Sequence, residues 1–471
     1  MSSRLVERLQ AARRLVFYDG VLRDGGVVQA LVGLLEALAD AEAGPASAGP
    51  AGERIWQAAR ELTARLLARS ETEGRSGPSA PASPPWSDAL VEAILTDANP
   101  FSQEAARCDS LDRLPAALRQ AAAPDWRCLQ ALAPLPPSEL EGALLSRGLP
   151  WPQGLWAVPS PAARGTLRPR RDLVESLHAG FARASDFAAC LEDLAAYYRA
   201  VGPGVVGRYA VLRWDGTRLS GIPHPDPVRL EHLVGYERER EQVVRNTHRF
   251  VAGAPAHHLL LYGPRGTGKS ATVKALAAAF ADRGLRLVEL RPADLDRLPH
   301  LLETLRPYRQ RFVVFIDDVS FGEADAAFKE LKATLEGSAR ACPPNVRVYA
   351  TSNRRHLVRE QALQDGAARP QDELNETLSL ADRFGVTVFF PPCDQALYLR
   401  IVEGVARQAG VVVAPTDAPP TGQGPWRPIQ PATLHKLALE WAMRHNDRSP
   451  RTAVQFVAEL AGELGLSKPE A

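Results

Sequence analysis

His258-Leu259-Leu260-Leu261-Tyr262-Gly263-Pro264-Arg265-Gly266-Thr267-Gly268-Lys269-Ser270 decides how this chain is read. His258 to Tyr262 is a short apolar run of the kind that forms a buried strand. Gly263 to Ser270 fits G-x-x-x-x-G-K-[ST], the loop that cradles nucleotide phosphates. Beyond it Val273, Leu276, Ala277 and Phe280 recur at helical spacing on one apolar face, and Gly284 suits an αL cap. Strand, glycine loop and helix are the context this pattern requires. Gly263, Gly266 and Gly268 let the backbone approach an anion, and the helix N-terminus adds positive potential. Lys269 supplies a point charge for the β- and γ-phosphates, and Ser270 a hydroxyl for Mg2+. With Pro264, Arg265, Thr267 and the following Ala271, these residues form the expected nucleotide-contacting segment. A glycine-rich turn with an exposed lysine would leave the Lys269–Ser270 pair unexplained.

The 471 residues suffice for about three domains. With 45% hydrophobic and 24% charged residues, the composition is that of a globular protein, and a net charge of +1 argues against a protein that coats nucleic acid. Cys108, Cys128, Cys190, Cys342 and Cys393 are scattered, odd in number and without a C-x-x-C pair, so neither a disulfide framework nor a zinc site is expected. The first residues lack a signal-peptide pattern, and Val27 to Ala39 is too short and amphipathic to span a bilayer. These features predict a soluble cytoplasmic protein without a membrane partner.

Residues 1–225 read as a mainly helical, loosely organised region. Ala43–Gly52 and Gly74–Pro85 have linker composition. Near the end of this region, two β-rich runs flank Asp215-Gly216, a hairpin signal with a type I′ turn. From residue 226 to 392 helices and strands alternate, which predicts an α/β core on a parallel sheet. Its strands are expected around Leu285–Leu290, Phe312–Ile316, Val346–Thr351 and Val386–Phe390, with a helix over Tyr236–Val251 that turns Val243, Val244, Thr247 and Val251 inward. Residues 393–471 read as a small helical lid, interrupted near Pro415–Pro431.

Asp317-Asp318 follows the most apolar strand. A carboxylate at the C-terminal end of such a strand faces the ligand crevice of an open sheet. Asp317 would hold Mg2+, through water or directly, and Asp318 would polarise the attacking water. Ser352-Asn353 ends the next strand, where an amide would reach the γ-phosphate or that water. Arg383 precedes the last strand and is a candidate arginine finger, with a surface ion pair as the plain alternative. Ser449, Pro450 and Arg451 suit the N-cap, N1 and N2 positions of the final helix, which would aim Arg451 at a bound anion.

In this order the motifs resemble an AAA+ ATPase over about Leu230–Leu464: Walker A, Walker B, a sensor-1 Asn353, a finger Arg383 and a sensor-2 Arg451. Leu261-Tyr262-Gly263, Asp317-Asp318-Val319-Ser320-Phe321 and Tyr349-Ala350-Thr351-Ser352-Asn353-Arg354-Arg355-His356-Leu357 are similar to a bacterial AAA+ family catalogued only as a domain of unknown function. The resemblance implies ATP and Mg2+ bound between an αβ core and a lid. Leu233-Val234-Gly235-Tyr236 stands where such proteins contact adenine, so Val234 and Tyr236 join the expected site. It also implies a homo-oligomer, a ring or face-to-face dimer, in which Arg383 acts on a neighbour's ATP. Three departures matter, one of them the polar, loop-like segment Leu363–Glu376, to which no role is assigned. Asp318 stands where the family's glutamate is usual, which predicts slow turnover. Arg291-Pro292-Ala293-Asp294 lacks the aromatic-hydrophobic-Gly signature of protein-threading rings, which disfavours an unfoldase.

The leading expectation is ATP hydrolysis that drives assembly, or remodelling or loading of a macromolecular client. A nucleotide-dependent switch with negligible turnover and a small-molecule P-loop kinase are the alternatives. The clusters Arg168/Arg170/Arg171 and Arg354/Arg355/His356 leave nucleic acid open as a partner without favouring it. The eight tryptophans read as packing residues, and His257-His258 as structural.

Overall fold

The computed structural model describes residues 3–23, 26–41, 49–73, 84–152, 154–156, 169–319, 331, 334–335, 342–353, 383–411 and 429–464. Most of both linker-like stretches, Arg168, Ser320-Phe321, the Arg354–Leu357 run, segment 363–376 and most of the lid loop lie outside these residues. The chain divides into two compact units, residues 1–210 with 307–310, and residues 211–306 with 311–471.

The first unit is helical: α1 (Ser3–Ala12), α2 (Gly20–Arg23), α3 (Val27–Asp40), α4 (Pro50–Glu73), α5 (Pro85–Thr96), α6 (Pro100–Arg107), α7 (Ala116–Leu132), α8 (Pro137–Leu145), α9 (Arg171–Arg183), α10 (Leu191–Val201) and α11 (Gly204–Arg208). Loose organisation is not what these helices show, because they bury one hydrophobic cluster running from Leu5 to Val201. Trp86, Trp126 and Trp156 are among its largest fully buried side chains, as expected of packing tryptophans. Helix α6 begins with a capping box in which Asn99 and Ser102 satisfy each other's amides. The fully buried carboxylate of Asp125 accepts from the amides of Val16, Phe17 and Tyr18 at 3.0, 2.7 and 3.0 Å, which pins the α1–α2 connection to α7.

In the second unit the described strands are β1 (Val211–Trp214), β2 (Leu219–Gly221), β3 (Leu259–Tyr262), β4 (Leu285–Glu289), β5 (Arg311–Ile316), β6 (Val346–Ser352) and β7 (Val386–Phe389). They form one sheet in the order β2-β1-β4-β5-β6-β3-β7. Every pairing is parallel except the β1–β2 hairpin, so the expected α/β core is present. Phe312 to Ile316 are all buried, because a central parallel strand is covered on both faces. The hairpin joins this sheet by pairing β1 with β4, Val211 opposite Leu287. Its turn is not type I′: Gly216 has φ 96°, Thr217 is not at positive φ, and Asp215 Oδ1 accepts from the amides of Thr217 and Arg218. Trp214 is fully buried, and its aromatic neighbour is His300, with ring centroids 5.5 Å apart.

Helices α12 (Glu237–Val251), α13 (Lys269–Phe280) and α14 (Leu298–Leu305) serve this sheet, and α15 (Gln395–Gln408), α16 (Pro431–Arg444) and α17 (Pro450–Glu463) form the C-terminal helical part. In α13 the predicted face Val273, Leu276, Ala277 and Phe280 is buried, and Gly284 takes φ 86° after a 3-10 turn. Burying such side chains contributes about 1.5–3 kcal/mol for each large one. The inward face of α12 is rotated from the expected one. Asn246 and Phe250 are buried with Val243 and Thr247, while Val244 and Val251 are only partly so. Asn246 can be buried because its amide donates to His257 O at 2.9 Å and Tyr349 Oη at 3.0 Å.

Candidate functional site

The sheet order assembles the site. β6 runs between β3 and β5, pairing Tyr262 with Ser352 on one side and Ile316 with Ala350 on the other. Three strand ends therefore deliver Gly263, Asp317 and Asn353 to the same edge, the C-terminal edge where ligands of open α/β sheets bind.

The loop after β3 is shaped by close approach. Gly263 has φ 137°, and a Cβ on it would lie 2.1 Å from Phe390 O. Gly266 has φ 76°, and a Cβ there would lie 2.8 Å from Ser449 Oγ and 3.5 Å from Arg451 Cβ. The start of α17 thus packs on the loop. Ser449 caps that helix, accepting from Thr452 N at 3.3 Å, and Arg451 is exposed in its first turn beside Gly266. Gly268, at φ 90°, is the N-cap of α13. Thr267 is buried and its Oγ1 donates to Pro264 O at 3.0 Å. Arg265 is exposed at the tip, and Ala271 is half-buried in the first turn of α13.

Lys269 is 4% exposed. Its ammonium donates to Gly263 O at 2.8 Å, Pro264 O at 2.7 Å and Asn353 Oδ1 at 3.2 Å. Burial lowers its pKa from 10.5 to about 8, against the opposing pull of Asp318 and Asp317. The other end of the Asn353 amide donates to Asp318 Oδ1. One asparagine thus spans the lysine and the second aspartate. Asp318 has φ 54°, a left-handed backbone that short polar residues tolerate and that marks strain at functional sites.

Ser270 Oγ donates to Asp317 Oδ1 at 2.6 Å. Thr351 Oγ1 donates to the same oxygen at 2.6 Å and accepts from Asp318 N at 2.8 Å. Thr351 went unread in the sequence because it looks like a β-branched strand residue. Only the β5–β6 register reveals where it points. Among the described residues no group of three or more His, Cys, Asp or Glu could hold a metal alone. One hydroxyl and one carboxylate nevertheless fit Mg2+, which takes hard oxygens and completes its shell with water and phosphate.

The Leu233–Tyr236 segment sits between the β7 exit and α15. Tyr236, with φ 57°, packs its ring against that of Phe390, centroids 5.4 Å apart and planes tilted by 37°, and donates its hydroxyl to Pro391 O at 2.9 Å. Val234 packs on Gly404, where a Cβ would lie 2.6 Å from Val234 Cγ2. Gly235 fits against Leu397 and Ile401. Tyr236 therefore spends its ring on Phe390, the residue whose carbonyl also abuts Gly263.

Arg383 is the one expected site residue that the fold keeps away. Gly385 follows it closely, and a Cβ on Gly385 would lie 2.8 Å from His257 Nδ1, at the N-terminal edge of β3 and β7. Five extended steps lead from His258 to Gly263, about 16 Å at about 3.3 Å each. Arg383 and the phosphate loop of the same chain lie at opposite edges of the sheet. His258 is structural, as its sequence setting suggested: Nδ1 accepts from Val348 N at 2.9 Å, and burial lowers its pKa to about 4.

All five cysteines are free, and among the described residues no helix is long and apolar enough to cross a membrane. A family model described as "Protein of unknown function (DUF815)" matches residues 207–464. No curated protein matches. Solved structures similar to the chain include a RuvB point mutant from Thermotoga maritima, 16% identical over 52% of this chain and 69% of that one, with a TM-score of 0.33. Another is the RuvB Holliday junction branch migration motor of Thermotoga maritima, 16% identical over 51% of this chain and 73% of that one, with a TM-score of 0.29. Likeness at those scores says nothing of activity.

Proposed function

The chain belongs to the family described as "Protein of unknown function (DUF815)", and from the site built within that stretch we propose an AAA+-type ATPase core that binds ATP with Mg2+ and cleaves it to ADP and phosphate. The observation that carries this reading is one hydrogen-bonded cluster. It joins Lys269, Asn353 and Asp318 on one side and Ser270, Asp317 and Thr351 on the other.

Loop amides and the α13 N-terminus would receive the phosphates, with Lys269 leaving its loop carbonyls for the β- and γ-oxygens. Ser270 and Asp317 would hold Mg2+, which would neutralise negative charge on the phosphates. Asn353, bonded to Lys269 and Asp318, would exchange them for the γ-phosphate and the attacking water. Asp318 then polarises that water and accepts its proton as the water oxygen bonds to the γ-phosphorus, while the P–O bond to ADP breaks and ADP leaves. Arg451, in the first turn of α17, closes over the loop. Val234 and Tyr236 border the adenine side. Arg383, at the far edge of the sheet, serves the ATP of a second copy, which makes the working form a homo-oligomer. ATP-driven assembly then acts on a macromolecular client.

A switch with negligible turnover is the second reading. It is favoured by Asp318, whose short carboxylate hangs from a left-handed backbone and is tied to Asn353. Calorimetric titration with Mg-ATP tests binding, and single-turnover cleavage separates the two readings. Absence of binding heat from folded protein sinks both, whereas tight binding without cleavage sinks the ATPase alone.

A further inference from the structure

We propose that Thr351 is a positioning residue whose single hydroxyl sets the geometry of both aspartates, an inference that rests on the ATPase reading of the same site. Thr351 is 1% exposed and follows Ala350, which pairs with Ile316, so it stands beside the Asp317–Asp318 step. An amide can only donate. Since Asp318 N points at Thr351 Oγ1 at 2.8 Å, the hydroxyl proton must go to the other neighbour, Asp317 Oδ1 at 2.6 Å. The same oxygen receives Ser270 Oγ, and the two hydroxyls together fix the carboxylate's rotation.

On the other side, the bond from Asp318 N holds a residue at φ 54° that would otherwise relax toward negative φ. Val319 N donates to Thr351 O at 2.8 Å, so the chain is gripped immediately after the strained residue as well. A β-branched side chain suits this task, because its χ1 is restricted and the hydroxyl direction is set by the strand itself. Valine keeps that shape and loses the hydroxyl, and serine keeps the hydroxyl.

Thr351→Val, Thr351→Ser and unaltered protein are compared by three measurements. In Thr351→Val, affinity for ATP without metal stays within about twofold, while the Mg2+-dependent gain in affinity and kcat each fall about 10- to 100-fold, the range usual for outer partners of metal ligands. Thr351→Ser restores most of both. Amide hydrogen exchange in metal-free protein, read on peptides spanning Ile316–Val319, speeds up in Thr351→Val and not in Thr351→Ser. Unchanged exchange together with unchanged Mg2+ dependence overturns the proposal. So does an equal loss in the serine variant. If the unaltered protein binds no nucleotide, the ATPase reading fails, and the exchange measurement still decides whether Thr351 holds Asp318. If valine prevents folding, Thr351→Ala carries the same comparison.

Discussion

Lys269 is where elementary electrostatics makes the sharpest demand. Burial holds its pKa near 8 despite two nearby aspartates, and a polyphosphate arriving beside it favours the charged form. ATP binding near pH 8 to 9 is therefore expected to take up a proton, and affinity to fall as pH rises through about 8. Calorimetry in buffers of different ionisation enthalpy reads this directly, and buffer-independent heats would refute it. Stability without nucleotide carries the opposite sign. Between pH 8 and 10.5 the unfolded lysine holds more protons than the folded one, so stability rises with pH across that window. Lys269→Ala should weaken ATP binding about 10- to 100-fold, the loss of one or two charge-assisted hydrogen bonds. Asp318→Asn is expected to keep both fold and affinity, because asparagine also tolerates positive φ, and to slow cleavage about 100-fold or more by removing the polarising carboxylate. Undiminished cleavage in Asp318→Asn would place the catalytic role elsewhere.

At the scale of elements, the loop after β3 is clamped by two different neighbours. Gly263 faces the carbonyl of Phe390 at the exit of β7, and Gly266 faces the Ser449 side chain at the start of α17. A backbone carbonyl of the sheet cannot move aside, whereas a side chain on the final helix can. Gly263→Ala is therefore expected to destabilise the fold by about 2–4 kcal/mol, seen as a lowered Tm. Gly266→Ala should cost less stability and chiefly reduce nucleotide affinity by displacing Arg451 and α17. Equal melting shifts for the two variants would count against separate clamps. The helix α12 teaches a related lesson. Its apolar spacing placed Val244 and Val251 inward, yet Asn246 takes an interior place because the His257 carbonyl and the Tyr349 hydroxyl satisfy it. Periodicity sees apolar residues and misses polar ones whose partners arrive from elsewhere in the chain.

Over the whole molecule, the position of Arg383 separates one-chain chemistry from two-chain chemistry. It lies at the opposite edge of the sheet from the phosphate loop, so a role in cleavage requires a second copy. Arg383→Ala protein should bind ATP normally and cleave it slowly, and mixing it with Asp318→Asn protein should recover part of the activity as the two defects complement across an interface. No recovery at any mixing ratio, with both variants assembling, would remove the finger. The sequence by itself determined the local pieces. The glycine loop between an apolar strand and an amphipathic helix, the aspartates ending the central strand and the Ser449-Pro450 helix start are all written in neighbouring residues, because propensity, capping and φ requirements act over a few positions. What only the tertiary structure decided is which strand lies beside which. The insertion of β6 between β3 and β5 brings Thr351 to both aspartates and Asn353 between Lys269 and Asp318, and the pairing of β1 with β4 draws the hairpin into the sheet. Strand order is set by burial of whole faces and by contacts between residues far apart in the chain, which no short stretch of sequence encodes.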